Sequence, residues 1–562
     1  MIIHSAKKKV RLLSRILKKF DIKEIIISPG SRNAPLIIEF TGQDFFKNYS
    51  IVDERSAAFF ALGIAQQQKY PSILVCTSGS ALLNYYPAIA EAFYSKIPLI
   101  IISADRPQKW VDQGEGQTIR QHEVFKNHSY FNTTLENQTH EQINDTIEKA
   151  IKISIEKQGP IHINIPFDEP LYETIQNEEE KIIPKKYQLN FPEIPEKKLQ
   201  KLLEIWNQSK NKIILAGQHY PSDFLQKQLE KLSQDKDLIV LTENISNLHH
   251  EQFINNIDQT IFGLNNQSLS LLKPDLLITV GRNIISKKIK QFLRKYKPKH
   301  HWHIEITDIA PNTYEALTEH INSHPEIFFS QFLFLIYDQM KKDGTYQNQW
   351  LAIKNRNKKR HRQFLEKTPF SDLKIFDFLE KNIPENFMIQ WSNSSEIRYA
   401  QLFDFRKSII HFSNRGTSGI DGSSSTAIGA AKITEKPTLL ISGDLSFLYD
   451  SNGLWNKYIP NHFKAIVINN GGGEIFNFIP GPSKTQALND FFVTKHSLKI
   501  KKMVEMFQLK YIYINNSESL KEKFPDFINN HSKPQIMEID TSEIANYQIL
   551  KDYFEFLFDN SK

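Results

Sequence analysis

A chain of 562 residues suggests three or so domains at roughly 150–200 residues each, with ample core for each. Its net charge of +7, from 70 basic and 63 acidic residues, is too small an excess to imply a nucleic acid or other polyanionic partner. The longest aliphatic stretch, around Leu99–Ile102, falls far below the roughly 18 residues of a membrane span, and one cysteine, Cys76, excludes an intramolecular disulfide and fits a reducing cytoplasm.

In chain order, Val10, Leu12, Leu13, Ile16, Leu17 and Phe20 recur at helical spacing among Lys7, Lys8, Lys9, Arg11, Lys18 and Lys19. That predicts an amphipathic helix rather than the unbroken apolar core of a signal peptide. Ile25–Ile27 then runs into Ser28-Pro29-Gly30-Ser31-Arg32-Asn33, and Asp53-Glu54-Arg55 opens a helical stretch through Ala65. Cys76-Thr77-Ser78-Gly79-Ser80, Ile102-Ser103-Ala104-Asp105-Arg106-Pro107 and Gly116-Gln117-Thr118 follow. The small or charged loops that leave these apolar strands mark the places where open α/β sheets put ligands. A charged, Pro-bearing stretch from Gln176 to Lys198 reads as a linker.

The middle of the chain carries strand-like Lys212–Gly217, Leu238–Leu241 and Asp275–Arg282. The basic run Lys287 to Lys297 holds Ile289, Phe292, Leu293 and Tyr296 on one helical face. His300-His301-Trp302-His303 lacks a second ligand cluster and reads as a surface strand edge rather than a metal site. A polar, basic segment from Lys354 to Lys367 precedes a third unit. Alternation of short β-type runs with longer helical ones predicts an α/β fold with mainly parallel sheets.

The third unit carries the most informative pattern. Thr438–Ile441 ends in Ser442-Gly443-Asp444, and Ala465–Ile468 ends in Asn469-Asn470-Gly471-Gly472. Neighbouring parallel strands would set the Asp444 carboxylate beside the Asn470 amide, with a carbonyl at Gly472 free to approach. A hard cation such as Mg²⁺ wants that oxygen set and keeps positions for phosphates. A helix after Asp444 would add its N-terminal N–H groups. Rival motifs fail: Gly114-Glu115-Gly116 lacks the third glycine of a dinucleotide fingerprint, and there is no phosphate loop or Gly-x-Ser-x-Gly elbow.

Asp444 to Gly472, Ser28–Asn33, Asp53–Arg55, Asn393-Ser394-Ser395-Glu396-Ile397-Arg398 and Ser413–Gly422 together resemble one family of thiamine-diphosphate enzymes. It is the 2-succinyl-5-enolpyruvyl-6-hydroxy-3-cyclohexene-1-carboxylate (SEPHCHC) synthase family of menaquinone biosynthesis. The resemblance implies a three-domain thiamine-diphosphate-binding fold: a pyrimidine-binding domain over 1–185, a central domain over 186–350 and a diphosphate-binding domain over 351–562. It implies a cytoplasmic enzyme, a homodimer or dimer of dimers, that decarboxylates 2-oxoglutarate on thiamine diphosphate and adds the succinyl carbanion equivalent to isochorismate. The alternative is a 2-oxo acid decarboxylase or an acetohydroxyacid-synthase-like carboligase.

The same resemblance assigns roles. Glu54 matches the carboxylate that drives tautomerisation of the cofactor's aminopyrimidine, where burial helps a carboxyl share a proton; on residues alone it could be a helix cap or an ion-paired Glu. Ile420 matches the side chain under the cofactor's bend. Asp444, Asn470 and Gly472 match the ligands of Mg²⁺ or Mn²⁺. Arg32, Arg106, Arg398 and Arg415 match receivers of substrate carboxylates, a task suited to planar guanidinium groups. Ser31, Gln117, Asn393 and Ser394 match polar contacts, Ile475, Phe476 and Ile479 an apolar wall, and Lys287 and Lys288 a basic pair that often includes Arg.

Overall fold

The computed structural model describes residues 2–177, 182–189, 191, 193–478 and 481–558. The apolar, β-branched runs become strands because both faces of each sheet are covered, which favours unbroken Val, Ile and Leu. In chain order the first strands are β1 (Ile2–Ser5), β2 (Glu24–Ile27), β3 (Lys47–Ser50), β4 (Ser72–Cys76), β5 (Leu99–Asp105), β6 (Phe131–Thr134), β7 (Ile161–Pro166) and β8 (Thr174–Asn177). The central strands are β9 (Lys212–Ala216), β10 (Leu238–Leu241), β11 (Phe253–Ile254), β12 (Leu276–Val280), β13 (His300–Ile304) and β14 (Glu319–Ile321). The last are β15 (Met388–Trp391), β16 (Ile410–Ser413), β17 (Thr438–Gly443), β18 (Phe463–Asn469), β19 (Lys510–Ile514) and β20 (Gln535–Asp540).

Three six-stranded parallel sheets result, in the orders β3-β2-β4-β5-β7-β6, β11-β10-β9-β12-β13-β14 and β16-β15-β17-β18-β20-β19, with β1 and β8 forming an antiparallel pair. The chain is α/β with three sheets flanked by helices. Among the described residues no helix is long and apolar enough to cross a membrane.

The first and third sheets share a core through two helices, Glu54–Gln68 and Ser423–Ile433. A Cβ on Gly63 would lie 2.0 Å from Thr426 O, and one on Gly429 would lie 2.0 Å from Phe60 O. The helices therefore cross backbone to backbone, and glycine is what permits it. This crossing ties the start of the Glu54 helix to the third sheet.

One expectation is corrected. The strand His300–Ile304 is interior, flanked by β12 and β14, with His301, Trp302 and His303 buried. Its histidines are tolerated there because the rings of His301 and His303 both reach Thr279 Oγ1 at 2.9 Å. The polar, basic stretch Lys354 to Lys367 lies within one helix, Tyr346–Lys367. Lys354 buries its stem and donates from Nζ to Phe253 O at 2.6 Å and Glu251 O at 2.8 Å.

Candidate active site

Each sheet reverses its winding next to its first strand in sequence, and loops at such a switch point splay apart to leave a crevice. In the first sheet the reversal lies between β2 and β4, which places Ser28–Asn33 beside Thr77–Gly79. In the third it lies between β15 and β17, which places Ser392–Ser394 beside Asp444. The central sheet reverses between β9 and β12, where the two loops meet closely: a Cβ on Gly217 would lie 1.9 Å from Arg282 O. Gln218 Nε2 instead donates across to Ser413 O at 2.9 Å.

At the third crevice β17 and β18 are neighbours, so Asp444 and Asn470 leave adjacent strand ends. Asp444 Oδ2 accepts the backbone N–H groups of Gly471 at 2.9 Å and Gly472 at 3.0 Å, folding the glycine loop around the carboxylate. Gly471 and Gly472 have φ of +78° and +144°, which a residue with a Cβ rarely adopts. Asn470 Nδ2 donates to Asp372 Oδ2 at 3.0 Å, which leaves Asn470 Oδ1 as the exposed end of the amide. The helix after Asp444 has only six residues, so its dipole is small.

Burial dominates the electrostatics here. It pushes Asp372 up to about 6 and Glu396 up to about 8, and raises Asp444 and Glu474 as well. A divalent cation at this loop would favour the ionised forms of carboxyl groups that burial otherwise pushes toward protonation. Among the described residues no group of three or more His, Cys, Asp or Glu could hold a metal. The oxygens offered here, the Asp444 carboxylate, the Asn470 amide and the carbonyls of the glycine loop, would fit Mg²⁺ or Mn²⁺ rather than a softer ion.

Glu54 begins its helix, yet it is not the cap. Asp53 fills that role by accepting from Ser56 N at 2.9 Å. Nor is Glu54 paired with Arg55, which donates to Tyr449 O at 2.7 Å and lies over the Tyr449 ring. Among the described residues, Glu54 Oε2 accepts just one long bond, from Asn84 Nδ2 at 3.3 Å. Both alternatives to a functional carboxylate thus lose their structural basis. Ile420, an ordinary core residue on composition grounds, is 38% exposed instead, and its carbonyl accepts from Ser446 Oγ at 2.7 Å.

The cationic residues fall into two constellations. Arg32 is buried, donates to Phe167 O at 3.0 Å and pairs with Glu169 at 3.2 Å; Arg106 reaches Gly116 O at 3.3 Å. Ser78 Oγ donates to Gln117 O at 2.7 Å, and Gln117 and Ser31 are exposed at the same end of the first sheet. The second constellation gathers Lys287, Lys288, Arg398 and Ile475 around a cavity of about 470 Å³. Arg398 donates to Ser394 O at 2.6 Å, and Ser394 holds a strained φ of +83°. Arg415 Nη1 donates to Asn393 Oδ1 at 2.7 Å. Phe476 packs on Phe492 at 5.6 Å between ring centres and is not part of this cavity wall. Ile479 lies outside the described residues. Among the described residues no hydrogen bond or ion pair joins one constellation to the other.

Comparison with known proteins gives this arrangement a family. Residues 8–124 match the thiamine pyrophosphate enzyme N-terminal TPP binding domain, 177–389 the middle domain of thiamine pyrophosphate enzymes, and 394–539 their C-terminal TPP binding domain. The chain is 49% identical to the 2-succinyl-5-enolpyruvyl-6-hydroxy-3-cyclohexene-1-carboxylate synthase of Flavobacterium johnsoniae, over 95% of this chain and 96% of that one. It is 46% identical to the synthase of Christiangramia forsetii, over 96% of each, and 36% identical to that of Porphyromonas gingivalis, over 99% and 98%. The chain belongs to the SEPHCHC synthase family.

As a SEPHCHC synthase family member it is a thiamine-pyrophosphate-dependent transferase. Sequence reasoning missed several residues that support this site. Asp372 orients Asn470, yet in the sequence it signals only a helix start after the cap Ser371. Glu396 falls within Asn393–Arg398, but nothing in the sequence marks it as buried against Gly443. His496 Nε2 comes within 3.2 Å of Asp444 Oδ2 from a segment with no motif at all.

Proposed function

We propose that the chain decarboxylates 2-oxoglutarate and joins the resulting four-carbon acyl unit to isochorismate, as a cytoplasmic step of menaquinone biosynthesis. The near full-length similarity to synthases of that name carries the reading. Thiamine diphosphate, when bound, supplies a thiazolium carbon that becomes nucleophilic and stabilises the carbanion left as carbon dioxide departs. Asp444, Asn470 Oδ1 and the Gly472 carbonyl would hold the cation that neutralises its diphosphate. Glu54 would keep a proton in exchange with the pyrimidine N1′, and Ile420 would supply an apolar prop.

Both substrates are dicarboxylates, so their recognition asks for cations. Arg32, Arg106, Arg398 and Arg415, with Lys287 and Lys288, would receive the carboxylates. Ser31, Gln117, Asn393 and Ser394 would contribute polar contacts, and Ile475 apolar surface that keeps water away.

The active unit in this reading is a homodimer with Glu54 of one chain facing Asp444 and Asn470 of its partner. Support comes from the separation of the two cationic constellations within one chain. Exposed apolar side chains also surround Glu54: Val52 and Leu83 beside it, and Tyr449 and Trp455 next to its Arg55 and Asp53 contacts. Such a patch suits a two-fold contact between copies.

The test is incubation with thiamine diphosphate, Mg²⁺, 2-oxoglutarate and isochorismate, with mass detection of the adduct. Formation of the adduct with 2-oxoglutarate much preferred to pyruvate is expected. Equal use of pyruvate would favour a carboligase of the acetohydroxyacid-synthase kind.

A further inference from the structure

The loop Asn414–Gly422 carries Arg415 and Ile420, and all three sheets grip it. From the third sheet, Asn393 Nδ2 donates to Asn414 O and Gly419 O, both at 2.7 Å. From the central sheet, the loop after β12 sends Asn283 Nδ2 to Arg415 O. From the first domain comes Glu91, on the helix Tyr86–Ser95, with 1% of its surface exposed.

Glu91 is fully engaged. Its Oε1 accepts from Gly416 N at 2.7 Å and Ser95 Oγ at 2.5 Å. Its Oε2 accepts from Thr417 N at 2.7 Å and Thr417 Oγ1 at 2.9 Å. Two successive backbone N–H groups on one carboxylate fix the peptide between them, in the manner of an anion-binding nest. A Cβ on Gly416 would lie 2.5 Å from Glu91 O, so the loop rests directly against the helix.

Most of these bonds cross between domains and flank Arg415. Asn283 holds the Arg415 carbonyl, Glu91 holds the next N–H, and the Arg415 guanidinium is bound to Asn393 Oδ1. With its main chain pinned on the C-terminal side and its side chain buried, Arg415 has little freedom to aim elsewhere.

We infer that Glu91 is a positioning residue for Arg415: the first domain uses one buried carboxylate to aim a substrate-binding guanidinium carried by the third. The inference rests on the reading of Arg415 as a carboxylate receiver. It requires a carboxylate in particular, because Gln would turn an NH₂ group toward one of two N–H donors. It also makes the pocket's cationic side depend on how the first and third domains are docked.

The full-length enzyme with its cofactor and Mg²⁺ tests this through Glu91→Gln, read in two ways. By hydrogen exchange, peptides covering 414–421 should exchange about ten-fold faster, while β17 keeps its protection. In steady state, KM for the acidic substrate that loses affinity in Arg415→Ala should rise about ten-fold, with kcat within about three-fold. In an Arg415→Ala background the same change should add less than about two-fold, because the two residues act as one unit. Unchanged exchange across 414–421, or effects of Glu91→Gln and Arg415→Ala that simply multiply, would overturn the inference. Should Glu91→Gln fold poorly, Thr417→Ala removes one donor from the same carboxylate and should give the same pattern in weaker form; a wild-type pattern there also counts against it. Failure of the wild type to consume 2-oxoglutarate and isochorismate would undo the proposed reaction, whereas the exchange result reads the clamp independently of turnover.

Discussion

Asn470 donates its side-chain N–H to Asp372 Oδ2 at 3.0 Å, so a carboxylate on the helix Asp372–Asn382 decides which end of the amide faces the glycine loop. Asp372 is itself fixed, accepting from Thr541 Oγ1 at 2.7 Å while its backbone N–H donates to Asn546 Oδ1 at 2.8 Å. Partners of this kind orient metal ligands, and losing one typically lowers metal affinity about 10- to 100-fold. Asp372→Ala should therefore weaken Mg²⁺-dependent binding of thiamine diphosphate by that order. Calorimetry with Mg²⁺ titrated against a fixed cofactor concentration measures it, and an unchanged Mg²⁺ requirement would remove Asp372 from this role.

Among the described residues, Glu54 is neither a helix cap nor an ion-pair partner, and its side chain takes one long bond, from Asn84. Glu54→Gln preserves shape and removes the proton-exchanging group. Folding and much of the cofactor affinity should survive, while turnover falls by roughly 10²-fold or more, the scale of a lost acid–base function. Single-turnover kinetics with 2-oxoglutarate decide the matter, and rates like those of wild type would rule Glu54 out.

The crossing of Glu54–Gln68 and Ser423–Ile433 leaves no room at Gly63 or Gly429. Gly429→Ala would drive a methyl into the Phe60 carbonyl, and such overpacking commonly costs about 1–3 kcal/mol. A lower thermal midpoint is expected, with loss of cofactor affinity, because this crossing carries Glu54 on one helix and follows Ile420 on the other. A midpoint at or above that of wild type would show that the crossing yields more easily than its contacts imply.

What the sequence disclosed follows a physical rule. Asp444 and Asn470 were legible because each leaves an apolar strand end with glycine beside it, signals contained within a few residues, and β17 and β18 are indeed neighbours. Three parallel sheets were legible from alternating β-type and helical runs. Asp372 and Glu91 were not, because their partners stand 98 and 325 positions away and only tertiary packing brings them together. The same blindness produced one error. His301 and His303 read as surface residues because Thr279, which both rings reach, lies on another strand. Nor does the sequence show that Lys354 is buried, because the carbonyls of Glu251 and Phe253 that receive its ammonium are invisible in a local window.

Burial pushes Glu243 up to about 7, although Ile285 N and Ser286 N donate to it at 2.7 and 2.8 Å and pull the other way. Between the ordinary value of 4.5 and about 7 the folded state holds this proton more tightly than the unfolded state does. The stability it contributes is thus complete below about pH 4.5 and lost as pH rises to about 7, up to about 3 kcal/mol. Glu243→Gln cannot titrate, so wild type should lose stability relative to the variant between about pH 5 and pH 7.5 and run parallel to it above. Thermal midpoints of both proteins across that range provide the measurement, and a constant difference would mean that Glu243 titrates normally.

The last prediction concerns the two-chain site. If Glu54 of one chain serves the Asp444 and Asn470 of the other, a dimer made from Glu54→Gln and Asp444→Ala chains has one doubly damaged site and one intact site. Asp444→Ala alone should be inactive, since it removes the anionic oxygen that Gly471 N and Gly472 N now fold around. Unfolded together and refolded at equal concentration, chains that pair at random give about half mixed dimers, so activity should recover to roughly a quarter of wild type. Mass spectrometry of intact dimers, with one chain isotopically labelled, establishes how many mixed species formed. If mixed dimers are abundant and activity stays at the level of the separate variants, Glu54 and Asp444 serve the same chain's site, and the exposed apolar patch around Glu54 must answer to some other contact.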